Sequence, residues 1–262
     1  PIFSKALFRM FQFDIWLVIG VAPCTFTKYR KTMRKTGILK SSLSKKYAMA
    51  LTGLFLCLFL VGHLLGNLQL FVGGPEGQEA FNNYAEFMTK NPLIKLISYL
   101  TYASIIFHII DGLVLTIQNR KSRPVKYVVD KGNLNSSWAS RNMGVLGTIL
   151  LVFIVSHMQN FWYVMHFGDI EIINGVKDLH SVTFDFFNPE INNLAGVMTG
   201  LYVFAMISMG FHLNHGFQSA FQSLGIEHPV YTPAINFVGK TFSIIIPAGF
   251  ASLPIYLFLI QS

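Results

Sequence analysis

GLFLCLFLVGHLLGN, residues 53–67, holds one imidazole, His63, in a run without a single charged side chain. A histidine inside a long apolar segment returns three times: His108 in IIFHIIDG (105–112), His157 in VSHMQNFW (155–162) and His212 in MGFHLNHGF (209–217). A polar ring in an apolar segment is destabilising unless something binds it. Taken alone, one such histidine reads as a hydrogen-bonded packing residue or a step in a proton path. Four of them, one per segment, read as two pairs of metal ligands, because a bis-histidine haem takes one neutral imidazole from each of two facing helices.

Composition fixes the environment of these segments. The chain is 52% apolar and only 12% charged, with a mean hydropathy of +0.49, whereas soluble domains are about a quarter charged. Apolar blocks of roughly 20–25 residues match the length that crosses about 30 Å of hydrocarbon. They fall at about 47–71, 93–117, 143–166, 194–221 and 237–260. The expected fold is an all-α membrane protein with five transmembrane helices, four of which form a dihaem-binding bundle. Residues 37–262 make this membrane domain, and residues 1–36 a basic, interfacial N-terminal extension whose apolar stretch at 15–21 is too short to span.

The net charge of +8 is distributed as topology rather than as a nucleic-acid face. Basic residues crowd 28–46 and 120–141, while Glu76, Glu79 and Glu86 follow the first span and Asp169, Glu171, Asp178, Asp185 and Glu190 follow the third. The positive-inside rule then puts the two basic stretches and the N-terminus in the cytoplasm, the acidic loops outside, and the chain in the inner (cytoplasmic) membrane. Cys24 and Cys57 are too few and too differently placed for a disulfide framework. Phosphate-binding glycine loops, paired-cysteine motifs and nucleophile elbows are absent from the sequence.

Counting along the spans at about 1.5 Å per residue places His63 and His157 about 24 and 21 Å from the cytoplasmic face, and His108 and His212 about 14–16 Å from it. The depths sort the histidines into His63 with His157 and His108 with His212. His215, one turn from His212, is the alternative ligand in the fourth span. Gly62, Gly66, Gly112 and Gly216 stand near the ligands, where a flat macrocycle must approach the backbone or where helices simply pack. Ser104 and Ser156 either accept a ligand's second N–H or bond back to their own helices. His166, His180 and His228 sit at span ends or in loops, where solvation is expected. The fifth span has no histidine and is expected to pack outside the haem bundle.

The stretches SSLSKKYAMALTGLFLCLFLVGHLLGNLQLF, FNNYAEF, NPLIKLISYLTYASIIFHIIDG, VSHMQNFW and FHLNHGFQSAFQSLG resemble the dihaem cytochrome b membrane-anchor subunit of succinate dehydrogenase and fumarate reductase. The single-subunit, five-helix form of menaquinone-using bacteria of the Bacteroidetes type is the most similar. The resemblance runs from about residue 38 to the end and implies two haem b groups, the distal one held by His63 and His157 and the proximal one by His108 and His212. A glycine four residues after the fourth ligand is usual in such anchors, which selects His212, with Gly216, over His215. Flavoprotein and iron–sulfur subunits would dock on the cytoplasmic face, menaquinone would be the membrane substrate, and a higher oligomer stays open. The chain itself would hold no dicarboxylate site.

Some fumarate reductases of this type carry an intramembrane glutamate two residues before the fourth ligand. Gly210 occupies that position here. Glu86, before the second span, is then the candidate for proton transfer at a quinone site. A hydrogenase or formate dehydrogenase cytochrome b anchor, or a haem-free proton-coupled transporter, are the competing readings; colour separates the last from the others.

Overall fold

A computed structural model describes residues 42–122 and 136–262. The extension over 1–36, and most of the basic stretches 28–46 and 120–141, lie outside the described residues. Five helices are long and apolar enough to cross a membrane, over Leu43–Phe71, Pro92–Lys121, Met143–Phe167, Ala195–Ser223 and Thr232–Leu259. The five expected spans are all present, the fifth starting five residues earlier than hydropathy alone suggested. The chain is an all-α, multi-pass membrane protein. Leu58, Phe107, Val152 and Phe237 are each more than 60% exposed, an apolar exterior that only lipid can cover.

Helix α1 (Ser42–Asn67) runs into a 3₁₀ turn at Leu68–Phe71 and then α2 (Gly74–Lys90), which has Pro75 as its second residue, carries Glu76 in its first turn and Lys90 in its last, and so complements its own dipole. The second span, α3 (Pro92–Lys121), is capped by Asn91, whose side chain accepts from the amides of Leu93 and Ile94. After α4 (Trp138–Arg141), the third span is α5 (Met143–His157), a π-helical segment (Met158–Tyr163) and α6 (Val164–Phe167). A hairpin of β1 (Ile172–Ile173) and β2 (Val176–Lys177) turns at Asn174 and Gly175, both with positive φ as a two-residue primed turn requires. Then come α7 (Leu179–Phe187), α8 (Ala195–Ser223) and α9 (Thr232–Leu259).

Contacts order four spans into a ring. α1 packs on α3 and on α8, and α5 packs on α3 and on α8, so α1 lies across from α5 and α3 across from α8. α9 joins this ring from one side, against α8 and α1. Gly249 of α9 receives Leu64, and Gly239 receives Phe217. Pro247 deprives the Ser243 carbonyl of its helical donor, and Gly210 of α8 lies so close that a Cβ there would sit 3.1 Å from that oxygen.

The two acidic loops meet at one end of the bundle. Asp178, 2% exposed, accepts from Asn82 Nδ2 at 2.7 Å and Gln78 Nε2 at 2.8 Å, and caps α7 by accepting from the Ser181 amide at 3.2 Å. Asn82 Oδ1 in turn accepts from the His180 amide at 2.9 Å. His180 is not the solvated loop residue its position suggested: it is 8% exposed, stacked 4.0 Å from Phe184. The apolar turn of α7 draws it in beneath α2.

Burial alone would raise the Asp178 carboxyl, but its bonds from Ser181, Asn82 and Gln78 outweigh burial and hold it below the usual aspartate range. With the folded value below the unfolded one of about 3.9, the clasp contributes fully above that pH and is lost as pH falls through the folded value. Asp178→Ala is expected to destabilise this end by about 2–4 kcal/mol, since it strands several buried donors. Hydrogen exchange at α7 and α2 checks it: unchanged protection in the variant at neutral pH contradicts the clasp.

Candidate haem-ligating histidine pairs

The ring arrangement brings the four histidines together as two pairs, each spanning a diagonal. His63 of α1 and His157 of α5 have ring centroids 5.9 Å apart at 81°. His108 of α3 and His212 of α8 are 6.2 Å apart at 63°. An imidazole nitrogen binds a first-row metal at about 2 Å, and its ring centre lies about 1 Å behind it, so two axial rings on one metal stand about 6 Å apart. Edge-to-face packing without a metal spans about 4.5–7 Å as well. Nδ1 of His157 and Nδ1 of His212 are buried with no hydrogen-bond partner, and in a ring that ligates through Nε2 these are the nitrogens facing away from the metal.

The pairs sit at different levels. His108 touches α1 at Thr52 and Gly53, ten residues before His63, and Tyr202 of α8 packs on His157 ten residues before His212. Both intervals correspond to about 15 Å along a helix. His63 and His157 therefore form a pair at the end bearing the acidic loops, and His108 and His212 one toward the end bearing Arg120, Lys121 and Arg141. The rings that meet are those the counted depths paired, and the separation along the helices exceeds the counted one.

Each pair is built from helical spacing. Phe59 and Phe153, four residues before His63 and His157, stack on those rings at 5.3 and 5.5 Å, and Phe161, four residues after His157, lies at 5.2 Å. The fifth span contributes too: Phe250 of α9 reaches His63 at 5.5 Å, so α9 flanks the ring of four helices and still walls one pair. Asn67 Nδ2 donates to the His63 carbonyl at 2.7 Å and lies 3.4 Å from His63 Nδ1.

His108 is held from α1. Thr52 donates its O–H to the Ala48 carbonyl at 2.7 Å, which leaves the hydroxyl oxygen to accept His108 Nδ1–H at 3.2 Å. That proton placement reserves Nε2 of His108 as a lone pair. Gly53 admits the ring, since a Cβ there would stand 3.3 Å from His108 Cε1. Thr52→Val is expected to weaken metal-centre binding at this pair about ten- to hundredfold, and Thr52→Ser to restore it. Titration of haem into the two variants measures this, and equal affinity for wild type and Thr52→Val would remove Thr52 from the site.

Other residues singled out by spacing resolve differently. His212, not His215, faces His108. Ser156 bonds back to the Phe153 carbonyl at 2.9 Å. Gly66 is filled by the Tyr84 ring, which would lie 2.5 Å from a Cβ, so it serves the packing of α2 on α1. Gly62 is exposed on the outside of the bundle, and Gly112 makes an ordinary contact with Met49. Gly216, half-buried, has no protein atom within 4 Å of a Cβ position, so the protein's own packing does not demand a glycine there. Glu86 lies on α2, ion-paired to Lys90 at 2.6 Å. His166 is exposed and stacked on Trp162 at 4.5 Å.

Comparison with protein-family models, with curated proteins and with solved structures finds no match to the chain. Function therefore rests on the residues. Among the described residues no group of three or more His, Cys, Asp or Glu side chains is placed to hold a bare metal ion. Two imidazoles per site suit a metal that arrives in a macrocycle supplying its remaining ligands.

Proposed function

We propose that this chain is the membrane-anchor cytochrome b subunit of a succinate:quinone oxidoreductase or fumarate reductase, carrying electrons between an iron–sulfur subunit and menaquinone through two b haems. The observation that carries it is the two histidine pairs, each about 6 Å across a diagonal of the bundle. The sequence resemblance supplies the choice among electron carriers. His63 and His157 hold one group and His108 and His212 the other. Bound there, each haem supplies a one-electron couple inside the bilayer.

The chain's residues do the rest. Thr52 fixes the proton on His108, and Phe59, Phe153, Phe161 and Phe250 keep the His63–His157 pair dry, which sets a low-dielectric surrounding for the charge change. The basic end, with Arg120, Lys121 and Arg141, is the docking face for the iron–sulfur and flavoprotein subunits and faces the cytoplasm. At the opposite end, Glu86 exchanges protons with a quinone, in competition with its Lys90 partner.

The test is a reduced-minus-oxidised absorption spectrum of the chain purified from membranes, with pyridine haemochrome counting. Two b haems per chain are expected. A colourless, stably folded protein ends this reading and returns the histidines to packing or proton transfer.

A further inference from the structure

The His63–His157 pair is asymmetric in a way that ligation alone does not account for. His63 Nδ1 lies beside Asn67, while His157 Nδ1 has nothing. Facing it from α8, Tyr202 is 9% exposed, its ring 6.1 Å from the His157 imidazole, and its hydroxyl is also buried without a hydrogen-bond partner. Phe153, Phe161, Phe186 and Phe187 wall the tyrosine ring at 5.0–6.5 Å, and none of them offers a polar atom. Asn160, one turn after His157, lies near the Tyr202 hydroxyl without bonding to it, and turning its amide over would present Oδ1 rather than Nδ2 to that hydroxyl.

These three groups are complementary. A ligand imidazole has an N–H to give, a phenol oxygen can accept it, and the phenol O–H needs an acceptor such as an amide oxygen. We propose that Tyr202 is a positioning residue of the iron site at His63 and His157: His157 Nδ1–H donates to the Tyr202 oxygen, and the Tyr202 O–H donates to Asn160 Oδ1. This inference rests on the haem reading above. The chain of two bonds fixes which nitrogen of His157 carries the proton, turns Nε2 to the metal, and makes the imidazole a stronger donor. A stronger donor favours ferric over ferrous iron. The sequence alone does not reveal this partner, because Tyr202 belongs to a different span from His157 and meets it only through the fold.

Redox titration and low-temperature electron paramagnetic resonance of the haem-loaded chain, in Tyr202→Phe and Asn160→Leu, test it. Tyr202→Phe is expected to cost the ferric form about tenfold in relative affinity, which raises the potential of the His63–His157 component by about 59 mV for a one-electron couple. The His108–His212 component stays where it was. Asn160→Leu moves the same component in the same direction by less, and it decides the matter if Tyr202→Phe does not accumulate. An unmoved potential and resonance signature at the His63–His157 haem overturns the proposal, as does equal displacement of both components. A wild-type chain without haem would instead overturn the functional reading beneath it.

Discussion

If the two pairs hold haem as proposed, His63→Ala and His157→Ala are each expected to remove the same haem and leave the other, and His108→Ala and His212→Ala to remove the second and leave the first. The reason is geometric: the rings meet as two pairs, at 5.9 and 6.2 Å, about 15 Å apart along the helices. With one of the two histidines of a pair removed, the remaining one alone would hold a haem only weakly. The expected outcome in redox titration of each single variant is one surviving component of full amplitude, with His63 and His157 variants indistinguishable from each other. If His63 and His108 variants lost the same component, the diagonal pairing would be refuted. His215→Ala, by contrast, retains both components.

Gly210→Glu is expected to destabilise the fold by about 3–5 kcal/mol, whereas Gly210→Ala costs about 1 kcal/mol. At Gly210 a Cβ already meets the Ser243 oxygen at 3.1 Å, with Pro247 beside it. A glutamate must push α8 off α9, the closest-packed pair of helices in the bundle, and must bury a carboxyl next to a carbonyl oxygen that Pro247 has left without its helical donor. Unfolding in graded denaturant measures both variants. Wild-type stability of Gly210→Glu would show that α9 can yield. Position 210 is thus closed to a long side chain by the fifth helix.

The five spans were legible because each is a long, mostly apolar run with few charged side chains, and the four histidines because each falls well inside a different one of them. Their pairing was legible because antiparallel spans allow depth to be counted at a fixed rise per residue. Asn67, Phe59 and Phe153 follow from spacing of four on one helix. Thr52, Gly53, Phe250 and Tyr202 do not, since each reaches a histidine from a different span, and only crossing geometry decides which residues meet. Asp178 escaped for a related reason. Among five loop acids it has no local mark, and what buries it is Asn82 and Gln78, about a hundred residues earlier.

The diagonal pairing also orders events during synthesis. His63 and His157 are 94 positions apart, and His108 and His212 are 104 apart. Neither the hairpin of spans one and two nor that of spans three and four contains a complete pair. The site at His63 and His157 becomes complete with the third span; the site at His108 and His212 waits for the fourth. Asp178, reaching back to Asn82 and Gln78 from between those two spans, ties the hairpins together at the point in the chain where the first pair is finished and the second is not. Under the proposed function, filling either site would join the first half of the chain to the second, because each histidine pair takes one ring from each half.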